Sequence, residues 1–196
     1  MEVSWTFYRF DYARFTRLRP LLRAAGAPED LEAVAYSPEL RSILDALDDG
    51  DISFCDARGA IVREACCVGE ALELGHGALH EVAALRENPR TERAGEILTA
   101  LLTGHASNEP WLAETTLVLG IIAPDETRAL CDSLMSVRWP GARHGRRRHG
   151  GLVGSVRGFF AGLLGRGPEQ DESLLLLRDL VQEAASTNCG ISLVAG

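Results

Sequence analysis

The stretch Val3-Ser-Trp-Thr-Phe-Tyr-Arg-Phe10 decides the fold class. Its β-branched and aromatic residues alternate as in a half-buried strand, whereas most of the chain beyond Phe10 is written at helical period. Asp11 stands next as an N-cap, and Phe15, Leu18, Leu22 and Ala25 continue at helical spacing. Pro20 is expected to kink or restart that helix, and Gly26 to end it. Pro28-Glu29-Asp30 and Ser37-Pro38-Glu39 are helix openings with proline in the first turn. The second leads into Leu40, Ile43, Leu44 and Leu47, and Asp49-Gly50 closes it.

Ile52-Ser53-Phe54 reads as a short strand. Ile61, Ala65, Val68, Leu72, Leu79 and Val82 trace one face of a long helix reaching Asn88-Pro89, with Gly69, Gly75 and Gly77 as weak points. Further helices are expected at 91 to 103, at about 110 to 119, and from Asp125 to Val137 after the start signal Ala-Pro-Asp-Glu. Residues 138 to 150 have no periodicity and read as an exposed loop, with a helix at 152 to 164 after it. Asp171 or Ser173 caps a last helix to about Thr187. Asn188 to Gly190 then turns the chain into a closing strand, Ile191-Ser-Leu-Val-Ala195. The expectation is an α+β fold: one predominantly helical domain over 1–196, with a small sheet that includes the N-terminal and C-terminal strands.

At 196 residues one core should bury roughly 70% of the unfolded surface. A 46% apolar and 24% charged composition is that of an ordinary globular chain. The first residues lack the basic and apolar runs of an export signal. The longest apolar run, Leu117 to Ala123, has seven residues, too few for a membrane span. Five cysteines, Cys55, Cys66, Cys67, Cys131 and Cys189, without CxxC spacing suit reduced thiols in a bacterial cytoplasm. Every basic side chain is arginine, which removes Schiff-base chemistry and the lysine of a phosphate-binding P-loop. A GC-rich genome gives the same bias whatever the function.

The net charge of −8 conceals a partition. Between Asp132 and Glu169 there is no acidic residue, while Arg138, Arg143, Arg146, Arg147, Arg148, Arg157 and Arg166 give that stretch +7, which leaves −15 on the remainder. The chain is thus an acidic body with a basic, glycine-rich insert at 138–168.

The segments Ile97-Leu-Thr-Ala-Leu-Leu-Thr-Gly104, Leu117-Val-Leu-Gly120 and Pro124-Asp-Glu with Leu130 and Leu134 resemble the middle of the YfbM-like family of bacterial proteins of unknown function. Leu180-Val-Gln-Glu-Ala-Ala185 with Gly190-Ile-Ser-Leu-Val194 is similar to that family's last helix and strand. The resemblance covers about half the chain, mainly 97–137 and 173–195. It implies an α+β fold and no particular activity.

Two constellations could carry chemistry. On the expected long helix, Glu73, His76 and His80 fall within an arc of roughly 60° at about 100° per residue. They would offer one carboxylate and two imidazoles to zinc or iron, with positions left open for water. The alternative is a hydrogen-bonded His76 between Leu72 and Leu79, with Glu73 and His80 on the solvent edge. The second constellation is the insert, where Gly151, Gly154, Gly158, Gly162 and Gly165 oppose Leu152, Val153, Val156, Phe159, Phe160, Leu163 and Leu164. A glycine ridge permits close approach and an apolar face seeks burial. With Arg143, Arg146, Arg147, Arg148 and Arg157, this makes an element suited to a protein partner, an RNA or an anionic membrane surface. The alternative is an insert folded back on the acidic body with its apolar face in the core. The vicinal Cys66-Cys67 and the acidic turn with Asp45, Asp48, Asp49, Asp51 and Asp56 read as buried small residues and a solvated loop. GxGxxG, GxSxG, HExxH and EF-hand patterns are absent from the sequence.

The leading expectation is a non-catalytic cytoplasmic binding protein that uses Arg143, Arg146, Arg147, Arg148, Arg157, Phe159 and Phe160. The alternatives are a metal-dependent enzyme at Glu73, His76 and His80, and an immunity or antitoxin-like partner. Homo-oligomerisation is compatible with each.

Overall fold

The computed structural model describes residues 5–34, 36–74, 82–83, 85–103, 111–112, 114–115, 118–136 and 168–195. They form a four-stranded sheet in the order β2-β1-β4-β3, made of β1 Trp5–Phe10, β2 Cys67–Leu74, β3 Val118–Ile122 and β4 Gly190–Ala195. The helices are α1 Tyr12–Ala24, a 3-10 helix Pro28–Val34, α2 Pro38–Asp48, α3 Phe54–Cys66, α4 Glu92–Leu102, α5 Pro124–Met135 and α6 Pro168–Ser186. The fold is α+β and mostly helical, as the sequence leads one to expect.

All strand pairs are antiparallel, and the two terminal strands lie at the centre, with Trp5 opposite Ala195 and Phe10 opposite Gly190. β4 is buried on both faces: Ile191, Ser192 and Leu193 are fully covered. Strand alternation sends neighbours to opposite faces. Phe10 and Ile121 join a core with Phe15, Leu22, Leu40 and Ile61 from α1, α2 and α3. Phe7, Ile122, Ile191 and Leu193 join another with Leu98, Leu130 and Leu177 from α4, α5 and α6. The sheet is therefore sandwiched between two helical layers.

Local chemistry explains most of the boundaries. Asp11 accepts from Arg14 N at 2.9 Å, Ser37 from Leu40 N at 3.3 Å and Ser53 from Asp56 N at 3.1 Å, so each caps the helix next to it. Two helices end in the same hydrogen-bond pattern. After α2, Gly50 adopts φ +78, with Asp51 N donating to Ala46 O at 2.9 Å and Gly50 N to Leu47 O at 3.1 Å. After α6, Asn188 adopts φ 55, with Cys189 N donating to Ala184 O at 2.8 Å and Asn188 N to Ala185 O at 3.3 Å. Both are left-handed caps that satisfy the last carbonyls.

Five expectations are corrected. Helix α1 runs uninterrupted through Pro20, which sits on its exposed face. Ser53 and Phe54 are the cap and first residue of α3, not a strand. The long helix stops at Cys66, where Cys67 turns to extended backbone and pairs with Phe10. Residues 118 and 119 belong to β3, because the apolar run there finds its partners in β4. Helix α6 begins at Pro168, before either expected cap. The basic loop at 138–150 and the helix at 152–164 lie outside the described residues.

Candidate functional site

The end of α3 at Cys66 bears directly on the expected metal ligands. Glu73 lies on β2, exposed and opposite Thr6, so the helical arc that would bring it beside His76 and His80 does not exist. His76 and His80 themselves lie outside the described residues. Among the described residues no group of three or more His, Cys, Asp or Glu is placed to hold a metal, and no helix is long and apolar enough to cross a membrane. Arg143, Arg146, Arg147, Arg148, Arg157, Phe159 and Phe160 also fall outside the described residues.

The body fixes where that basic stretch departs and returns. β3 leads into α5 and α6 leads into β4, and these strands are antiparallel neighbours with Ile122 opposite Ile191. The first turns of α5 therefore stand beside the end of α6, and Arg128 reaches Asn188 at 3.5 Å. The two helices pack antiparallel through Leu130, Leu134, Leu177 and Val181. At 1.5 Å per residue α6 overhangs the end of α5 by about 10 Å. The chain leaves this helix pair and re-enters it at one end, where Met135 and Leu176 are about half exposed, at 49% and 50%.

A cleft of about 640 Å³ opens on the same side of the sheet, between the start of β1, residues 82–87 and α4. Its polar lining includes Arg86, Glu87, Glu92, Glu96 and Thr99, with the Trp5 indole among its apolar surfaces. The walls are pinned together. Buried Thr91 donates to Leu85 O at 2.7 Å, and a Cβ on Gly95 would come within 2.7 Å of Arg86 N. Only glycine allows that approach. Glu96 pairs with Arg93 at 3.1 Å on the surface, a contact worth about 0.2–1 kcal/mol. The Trp5 Nε1 is buried without a hydrogen-bond partner among the described residues, but being covered it presents nothing to the cleft. Glu92, Glu96, Thr99 and Thr103 recur at helical spacing along α4, a polar stripe whose spacing is visible in the sequence but carries no recognisable chemical motif.

A different environment surrounds Arg58, on the opposite face of the sheet. Its guanidinium lies 5.5 Å from the Phe54 ring centroid, one turn earlier on α3, and 4.7 Å from that of Trp111. The residue is only 7% exposed, and its Nε has no hydrogen-bond partner among the described residues. Among those residues no carboxylate pairs with it. Two desolvated cation–π contacts are worth about 2 kcal/mol each, against an ionic desolvation cost of several kcal/mol. The rings come close to offsetting the charge, but they leave the in-plane Nε–H unsatisfied. Nothing in the period or composition of the sequence marks this residue.

The vicinal thiols are silent chemically. Burial pushes Cys66 up to about 12 and Cys67 up to about 11. Cys67 Sγ lies 3.2 Å from Ser192 Oγ in the middle of the sheet. Burial raises Cys131 as well. Thiolates, the nucleophilic form, are therefore scarce at neutral pH at all three.

Comparison with protein-family models, with curated proteins and with solved structures finds no match, so no relative bears on the resemblance to the YfbM-like family.

Proposed function

We propose that this chain is a non-catalytic binding domain whose contact element is the basic 138–166 stretch, presented at the open end of the α5–α6 pair, and that its partner is a protein with an acidic surface. The single observation carrying this reading is the antiparallel packing of α5 on α6, which sets the two flanks of the stretch, Met135 and Pro168, at one end of the helix pair. Its supports are the +7 charge of a segment set in an otherwise −15 chain and the half-exposed Met135 and Leu176 beside the exit. Charge of one sign steers an oppositely charged partner, and an apolar pair at its base gives that partner something to bury.

The test is deletion of 139–166 with a short glycine–serine bridge. The expected product keeps its circular dichroism spectrum and a single melting transition but loses the acidic proteins that the full chain retains from a lysate at low salt. An unfolded product would place the stretch in the core and end the proposal. So would retention of the same proteins by the deletion variant.

A further inference from the structure

A buried guanidinium without a counter-charge is rare, since charged side chains taken out of water are ordinarily paired and hydrogen-bonded. Arg58 departs from that rule among the described residues: it is 7% exposed, its Nε is unpartnered, and its contacts are two aromatic faces. Stacking occupies the faces of the planar group and leaves its edge, the fork of N–H donors, for an acceptor. The side chain runs back over Phe54, the first residue of α3, toward the end of that helix where the backbone favours negative charge.

We propose that Arg58, stacked on Phe54 and Trp111, is the receptor for the carboxylate of a small monocarboxylic acid, with the two carboxylate oxygens meeting the guanidinium edge. Bidentate pairing is the geometry in which this fork and a carboxylate match. The charge of the surroundings selects the class. Asp56 lies two residues away on α3, its carboxylate accepting from Ser53 Oγ at 2.7 Å, and Glu114 accepts from Cys55 Sγ at 3.7 Å. These carboxylates repel a dianion about twice as strongly as a monoanion, which disfavours phosphate. The near-complete cover over Arg58 favours a short chain. This site stands apart from the 138–166 reading and does not depend on it.

The experiment uses the full chain and sodium acetate or propionate as probe, with sodium chloride at matched ionic strength. Tryptophan emission and the melting temperature are the readouts. The expected result is a saturable change in emission and a rise in melting temperature with acetate or propionate, half-complete on the order of 1 mM, with neither in chloride. R58M should abolish both responses while folding about as stably without ligand, because the ring contacts it loses and the ionic desolvation cost it relieves nearly cancel. R58K keeps the charge but not the fork, and should weaken the response at least about tenfold. Inorganic phosphate should bind more weakly than acetate. The proposal is overturned if chloride reproduces the change, if the response fails to saturate, if phosphate binds more tightly than acetate, or if R58M or R58K responds as the wild type does. Marked destabilisation of R58M would also overturn it, as that marks a purely structural cation–π clamp.

Discussion

The two antiparallel pairs at the sheet's margins are each joined by helices, and the two connections contrast. From β1 to β2 the chain builds α1, the 3-10 helix, α2 and α3 on one face, closing its core with Phe10, Phe15, Leu22 and Leu40. Phe10 and Phe15 meet at 5.3 Å between ring centroids. From β3 to β4 it builds α5 and α6 on the other face, with the long basic stretch between them. The first connection spends its residues on packing. The second builds a single helix pair, and the sequence between its two helices carries the +7 charge.

The largest effects should come from asking whether the faces are energetically one body. F10A on the first and L130A on the second each remove a fully buried side chain. They should cost about 3–5 and 2–5 kcal/mol respectively, both read in urea melts as a shift of one shared transition. Two separable transitions would show that the faces unfold independently.

Alkaline pH should strain the first face, on which Cys66 and Cys67 sit. Their native values of about 12 and 11 lie above the ordinary 9.0. The folded state therefore holds these protons more tightly, and the stability they contribute is complete below pH 9 and lost as pH rises toward 12. A loss on the order of a few kcal/mol by pH 11 is expected. The fall should be shallower in C66A/C67A, and an unchanged slope would remove the thiols from the account.

Glycine substitutions sharpen the contrast at smaller scale. G120A on β3 would bring a Cβ within 2.9 Å of Leu101 O, a backbone atom of α4 that has little room to yield. It should cost about 1–3 kcal/mol in a thermal or urea melt. G26A, between α1 and the 3-10 helix, meets nothing within 4 Å and should stabilise by about 0.4–1 kcal/mol. The smallest effect belongs to Arg9, which pairs with Glu183 at 2.9 Å across the second face. E183Q should cost about 0.2–1 kcal/mol, a difference that salt erodes.

The outer frame is legible in the sequence because its signals are local: β-branched and aromatic residues alternating at 3–10, helix caps at Asp11 and Ser37, and the Asn188 turn into β4. The misreadings share a cause. Ile61, Ala65, Val68 and Leu72 happen to satisfy helical spacing, but Cys67 to Leu74 is stabilised by pairing with β1, a contact that no window of sequence contains. Gly69, with φ +81 beside a break in strand register, is the local sign that a helix could not pass. The run at 117–123 is too short to distinguish a covered strand from a helix by period. Of the candidate sites, the cleft stripe on α4 is readable at helical spacing. Arg58 is not, because its isolation depends on Trp111 arriving from a different part of the chain.

The central pairing of β1 with β4 sets an order of events during synthesis. The apolar residues of β1 are made well before those of β4, since Phe10 and its partner Gly190 are far apart along the chain. Closing that loop carries the largest entropic cost in the sheet, so β1 must meanwhile be shielded by β2 and by the helices between them. A nascent chain stalled before Gly190 would carry a nearly finished first face and an open strand edge, the species most exposed to aggregation and chaperone capture.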